Sequence, residues 1–385
     1  MENVLLLGAG TQALSIVKGL AKAGHKVFLY YEHSNYADKS RYVTKRIRCQ
    51  VPMMSDKYLA NVEDIILREH IDVIIPMGDT AAEFVSKNKE RLRKIVHLSA
   101  PNYTHFVKGY DKNQLMNLCK ENGYPHPQSI DLSGVKDLNC DELINFHFPA
   151  MLKPNCTTGG RGMVVVNSHE DFVAKYQVLH RLYGDYHLQK FIREGGRQVK
   201  IQLCVDADGR MIGHSAMQKV RWFPVKAGSS CCSVSINEEN ATAMCLQILR
   251  DLQWEGFADF DLIEDPDTHE LLVMEINPRL PACLGAATHA GADWGCIIVD
   301  HAMGRQIGSY EYKTGVVLRH LGFDVLWFLK SPKRFGAKPS WFRFFGKNVF
   351  YQDMDGWGNM KPFFSGTYNN FKKLFDPSFK KTKGI

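Results

Sequence analysis

Gly256 to Arg279 reads GFADFDLIEDPDTHELLVMEINPR, and this stretch decides the fold. Phe257 to Ile263 and Leu271 to Ile276 are apolar, strand-like runs. The segment between them, Glu264-Asp265-Pro266-Asp267-Thr268, is rich in turn formers, so the pattern predicts an antiparallel hairpin. Strand side chains alternate between faces, which puts Asn277 on the same face as Glu275, while Asp261 stands on the other strand. Two carboxylates and an amide oxygen are hard donors and suit a magnesium ion carrying nucleotide phosphates better than zinc. The expected metal ligands are Asp261, Glu275 and Asn277, with Asp259 a rival for the first of them. The hairpin thus points to a magnesium-nucleotide enzyme.

Two upstream stretches offer phosphate-binding groups. Met151-Leu152-Lys153-Pro154 ends an apolar run and leads into Asn155-Cys156-Thr157-Thr158-Gly159-Gly160-Arg161-Gly162-Met163, followed by a strand, Val164 to Val166. One lysine and several unhindered backbone N–H groups are therefore presented together. The lysine precedes the glycines and a strand follows them, so this is not a Walker loop. Further upstream, Asp111 caps an expected helix that runs to Glu121 and stops at Asn122-Gly123. Lys112 falls in its first turn, where it opposes the helix dipole unless an anion is near.

The N-terminus reads as a strand from Val4 to Leu7, the turn Gly8-Ala9-Gly10-Thr11-Gln12-Ala13, a helix to Ala23 and a strand from Lys26 to Tyr31. Val73 to Pro76 is a further strand. This is an open parallel sheet with a GxGxxA turn, and Glu32 stands where a dinucleotide fold places its ribose acid. A NAD(P)- or FAD-dependent oxidoreductase is therefore an alternative, and a non-catalytic ATP-binding regulatory module is another.

Taken in order, these stretches resemble the ATP-grasp superfamily over about residues 1–310. The branch indicated is that of carboxylate-amine ligases, similar to carbamoyl-phosphate synthase halves and D-amino-acid ligases. The resemblance implies an α/β chain: a Rossmann-like parallel-sheet domain at 1–105, then an ATP-grasp α+β module at 106–310 with a mobile glycine-rich lid at about 148–193. A basic, aromatic C-terminal extension, 311–385, follows. ATP is the implied cofactor, with a pair of magnesium ions on Asp261, Glu275 and Asn277. Lys112, Lys153, Thr158, Gly159, Gly160, Gly162 and Met163 are implied to meet the nucleotide phosphates. Gln189, Lys190 and Ile192 occupy the adenine hinge, with Gln189 where the family usually has an acid, and Glu194 or Gln198 is implied to meet the ribose. Arg279 would offset phosphate charge, and Arg221, ahead of Gly228-Ser229-Ser230, would lie near an acyl phosphate. The implied chemistry passes the terminal phosphate of ATP to a substrate carboxylate, after which an amine attacks the mixed anhydride and forms an amide.

Apolar and charged fractions of 45% and 23% are ordinary for a globular protein. From Glu311 to the end the chain holds 14 basic and 5 acidic residues, a net of +9 against +7 for the whole. The catalytic body is thus slightly acidic and not a nucleic-acid binder by charge. The expected partners are a small carboxylate and a small amine. The 10 cysteines show no CxxC spacing and read as free thiols of a cytoplasmic protein. In the extension, basic residues alternate with Trp327, Phe328, Trp341, Phe342, Phe344, Phe345, Trp357, Phe363 and Phe364. That composition fits packing on the body or, as the second reading, contact with an anionic membrane.

Overall fold

The structure is a computed structural model describing residues 1–157, 161–225 and 228–374. Three sheets organise it. The first is parallel, in the order β3-β2-β1-β4-β5, with β1 Asn3–Leu7, β2 Lys26–Tyr31, β3 Lys45–Arg48, β4 Val73–Pro76 and β5 His97–Leu98. Helix Thr11–Lys22 follows the glycine turn. Gly8 has φ +134°, and a Cβ there would lie 3.0 Å from the Met77 side chain, so the turn needs glycine for both conformation and room.

The second sheet has the order β6-β9-β7-β8: β6 Ser129–Asp131, β7 Ala150–Pro154, β8 Val164–Val166 and β9 Tyr186–Lys190, with every pair antiparallel. Helix His169–Tyr183 covers it, and Leu152, Phe172, Tyr176 and Leu188 share a core. The third sheet runs β14-β13-β10-β11-β12-β15-β16. Its strands are β10 Gln198–Val205, β11 Met211–Phe223, β12 Ser229–Ile236, β13 Gly256–Glu264, β14 Leu271–Asn277, β15 Val317–Arg319 and β16 Val349–Tyr351.

Alternation in the third sheet generates the site. Val199, Ile201, Leu203 and Val205 of β10, and Ala258, Phe260 and Leu262 of β13, bury one face against Leu115, Met116, Ile248 and Leu249 of two helices. The intervening residues, Lys200, Gln202, Asp259 and Asp261, must then point to the opposite face. Helix Trp294–Ala302, which comes after the hairpin, joins the first and third sheets, because Trp294, Ile297 and Ile298 pack with Ile16, Leu20 and Phe257.

Residues beyond 310 are woven into this body. β15 and β16 extend the third sheet, and helix Leu321–Lys330 packs on β11 and β12. His320 bridges the body's first part to the extension, with its Nε2 3.0 Å from Tyr36 Oη and its Nδ1 3.1 Å from Asp353. Helix Lys361–Leu374 returns to the N-terminal sheet region, where Asn369 donates to Ser34 O and Ser365 to Asn35 O. Among the described residues no helix is long and apolar enough to cross a membrane, and none of the cysteines is bridged.

Candidate active site

The hairpin register sets Asp261 opposite Glu275 and Asp259 opposite Asn277, while on its other side β13 faces Lys200 with Asp261 and Gln202 with Asp259. A bulge between Asp261 and Leu262 locally twists the strand. Lys200, Asp261, Glu275 and Asn277 line a basin of about 190 Å³. Asn277 Nδ2 lies 3.2 Å from Asp261 Oδ2 and 3.5 Å from Glu275 Oε1, so the expected metal-binding trio is gathered at one point.

Cations surround these acids. Lys200 Nζ lies 2.6 Å from Asp259 and 2.9 Å from Asp261, and Lys219 Nζ lies 2.9 Å from the other oxygen of Asp261. Arg279 sits 3.2 Å from Asp79 and donates to Asn277 Oδ1 at 3.2 Å. Lys112 lies 3.2 Å from Glu275 and donates to Thr157 O at the start of the glycine loop. Burial opposes the charge on Lys200, but Asp259 and Asp261 outweigh it and hold its pKa above the ordinary lysine range. Burial likewise opposes the charge on Asp261, yet Lys200 and Lys219 hold its carboxyl far below the usual range. Asp259 goes the other way, because complete burial and the neighbouring Asp261 outweigh its share of Lys200.

Lys153 is buried and donates to Gln189 Oε1. Burial, which Glu275 only partly offsets, brings its pKa down to about 8. His187 lies beside it with Nδ1 2.8 Å from Asn155 Oδ1, and its Nε2 has no partner among the described residues. Burial, Lys153 and Lys112 together hold this imidazole neutral. Gly162 has φ +74°, and a Cβ there would lie 2.8 Å from Tyr186 Oη and 2.9 Å from Pro154. Met163 is half-buried next to it.

The other expected residues are placed as follows. Gln189 and Lys190 end β9, Ile192 is half-buried and Glu194 exposed in the connection that follows, and Gln198 opens β10 opposite Lys219. Thr158, Gly159 and Gly160 lie outside the described residues. Arg221 requires a correction. It was expected near an acyl phosphate, but β11 runs on through it to Phe223 and its guanidinium is buried. It pairs with both oxygens of Asp324, at 2.7 and 2.9 Å, and donates to Pro339 O. The neighbours expected with it, Gly228, Ser229 and Ser230, do line the basin.

Lys200 and Lys219, which line the basin, and Asp79, which pairs with Arg279, were not expected. Lys200 carried a readable signal, since it is the one charge in the alternating run Gln198 to Val205. Asp79 gave none, because it comes from the N-terminal sheet's helix Asp79–Lys87.

Whether magnesium fits can be judged from the donor set. No group of three His, Cys, Asp or Glu among the described residues forms a preformed cage. Magnesium does not need one, because it keeps several waters and is commonly held by one or two carboxylates plus substrate phosphates. Asp261 and Glu275 supply two such carboxylates, Asn277 lies between them with its Nδ2 toward the acids and its Oδ1 accepting from Arg279, and the nearby cations suit the rest of a phosphate chain. The residues fit.

A seven-stranded sheet bearing such a basin, together with a smaller antiparallel sheet and a preceding parallel sheet, resembles the ATP-grasp arrangement. Residues 111–291 match the family described as carbamoyl-phosphate synthase L chain, ATP binding domain. The carbamoyl phosphate synthase large chain of Thermoanaerobacter sp. (strain X514) is 24% identical over 242 residues, which are 60% of this chain and 22% of that one. D-aspartate ligase of Enterococcus faecium (strain Aus0004) is 23% identical over 227 residues, 54% of this chain and 53% of that one. The chain therefore spans well under two thirds of the length of these relatives. A biotin carboxylase structure from Campylobacter jejuni superposes with a TM-score of 0.66 at 18% identity, covering 82% of this chain and 75% of that one. These matches do not favour the dinucleotide alternative.

Proposed function

We propose that the protein is an ATP-dependent carboxylate-amine ligase acting through an acyl phosphate. The single observation that carries this reading is the convergence of Asp261, Glu275 and Asn277 on one point beside Lys112. Magnesium, held by that trio, would supply charge neutralisation on the ATP phosphates. Lys112, Lys153 and Arg279 add to it, and the backbone around Gly162 would close over the nucleotide.

In the first step a substrate carboxylate oxygen attacks the terminal phosphorus, the bond to the bridging oxygen breaks, and ADP leaves. In the second an amine attacks the carbonyl carbon of the acyl phosphate, phosphate departs, and the amine proton passes to solvent or to a basin carboxylate. Neither step requires a side-chain nucleophile; positioning and electrostatics carry the rate. Lys200 and Lys219 present ammonium groups beside Ser229 and Ser230 and would orient the anionic acceptor. The name of one relative, D-aspartate ligase, makes amino acids the first substrates to try, in a cytoplasmic setting. The test is a screen of amino acids and sugar acids, with and without amines, for release of ADP and phosphate. Release that requires both an acid and an amine supports the ligase. Tight ATP binding with no turnover across the screen would favour the regulatory module instead.

A further inference from the structure

A groove of about 660 Å³ opens between helix Thr11–Lys22, helix Gly285–Ala290 and the segment 344–357, and it shares no lining residue with the catalytic basin. Its size lies within the range typical of small-molecule sites. Two of its large aromatics are left open to solvent: Phe345 is 73% exposed and Trp357 55%. Their rings lie 5.6 Å apart, and Trp357 is propped edge-on by Tyr351 at 5.3 Å. Keeping two such rings exposed over a concavity forgoes apolar burial and does nothing for the core.

The polar wall decides what could lie on those rings. Lys18 and Lys22 face the groove, but so do Asp293 and Asp355, so the formal charges cancel. A phosphate or nucleotide would meet two carboxylates as well as two ammonium groups. A polyol suits the wall better, since each hydroxyl both donates and accepts. His289, stacked on Phe350 at 3.7 Å, also lines the groove. Burial together with Lys18 and Lys22 pushes its pKa down to about 4, so at neutral pH it offers one donor and one acceptor. Gly19 keeps the floor open, because a Cβ there would lie 2.4 Å from Asp293 Oδ2.

We propose that this groove binds an uncharged carbohydrate of one or two residues, its apolar face on Trp357 and Phe345 and its hydroxyls exchanging hydrogen bonds with Asp293, Asp355, Lys18 and His289. The C–H groups of a sugar face carry partial positive charge and complement the negative face of an aromatic ring. This site is independent of the ligase reading, since its test needs neither nucleotide nor turnover.

The test is saturation-transfer NMR on the full chain, at millimolar concentrations of glucose, galactose, mannose, N-acetylglucosamine, maltose, lactose and chitobiose. The expected result is at least one ligand bound with a millimolar Kd. Trp357→Ala and Phe345→Ala should each weaken it roughly tenfold, with melting temperatures unchanged because both rings are exposed, and Glu275→Gln should bind it as the parent does. No binder in the panel, or a binder indifferent to both aromatic variants, overturns the proposal. So does tighter binding of glucose 1-phosphate than of glucose that is lost in Lys18→Gln, which would make the groove an anion site.

Discussion

Lys219 on β11 reaches across β10 to Asp261 on β13, its Nζ 2.9 Å from the carboxylate. An acid proposed to hold magnesium is thus already neutralised by lysine, and a metal ion must compete with that lysine for it. Lys219→Gln should lower the magnesium concentration for half-maximal ADP release by about fivefold, as removal of a competing cation worth about 1 kcal/mol requires. The maximal rate should fall, because the same ammonium is proposed to orient the acceptor. Magnesium titrations of ADP release in both proteins check this.

Glu275→Gln keeps the side-chain size and removes one charge. The Glu275 side chain is 31% exposed, so the fold should tolerate the change and the melting temperature should move little. Turnover should fall by about 10² or more, the usual cost of losing such charge stabilisation. Initial-rate assays of ADP release, paired with thermal melts, separate the two effects.

Nucleotide affinity should depend on pH through Lys153. With its pKa near 8, the ammonium is charged below that pH and neutral above it. ATP binding should therefore weaken as pH rises from 7 to 9.5, approaching about tenfold per unit above the inflection. Gln189→Glu places a carboxylate at the Lys153 ammonium and should move the inflection upward. Lys153→Ala should bind weakly and without this inflection. Calorimetric Kd values across the range decide it.

Asp324 is buried between two arginines, Arg221 and Arg319, and accepts from both. Asp324→Ala leaves two buried guanidiniums without their carboxylate and should cost about 3–5 kcal/mol of stability. Urea unfolding measures this. The same variant, where it remains folded, should keep its ATP affinity, since Arg221 lies outside the nucleotide basin.

The hairpin was legible because its signals are local: alternation, turn residues, and acids at fixed offsets within twenty-four residues. The strand that carries Lys153, and the helix capped at Asp111, were legible for the same reason. Lys219 and Asp79 were not, because what brings them to Asp261 and Arg279 is sheet order and domain docking, and neither leaves a mark in the neighbouring sequence. Arg221 was misplaced because its partner lies 103 residues away. Even so, Arg319 and Asp324 interrupt the apolar stretch Val316 to Leu329, and such charges usually have buried partners.

The β13–β14 hairpin is proposed to hold the metal of a nucleotide complex. A crystal structure with manganese in place of magnesium and a non-hydrolysable ATP analogue tests it most directly. Anomalous density is expected between Asp261, Glu275 and Asn277, with the analogue's phosphates reaching Lys112 and Lys153. Manganese density elsewhere, or an analogue seated on the Gly8–Ala13 turn, would contradict it.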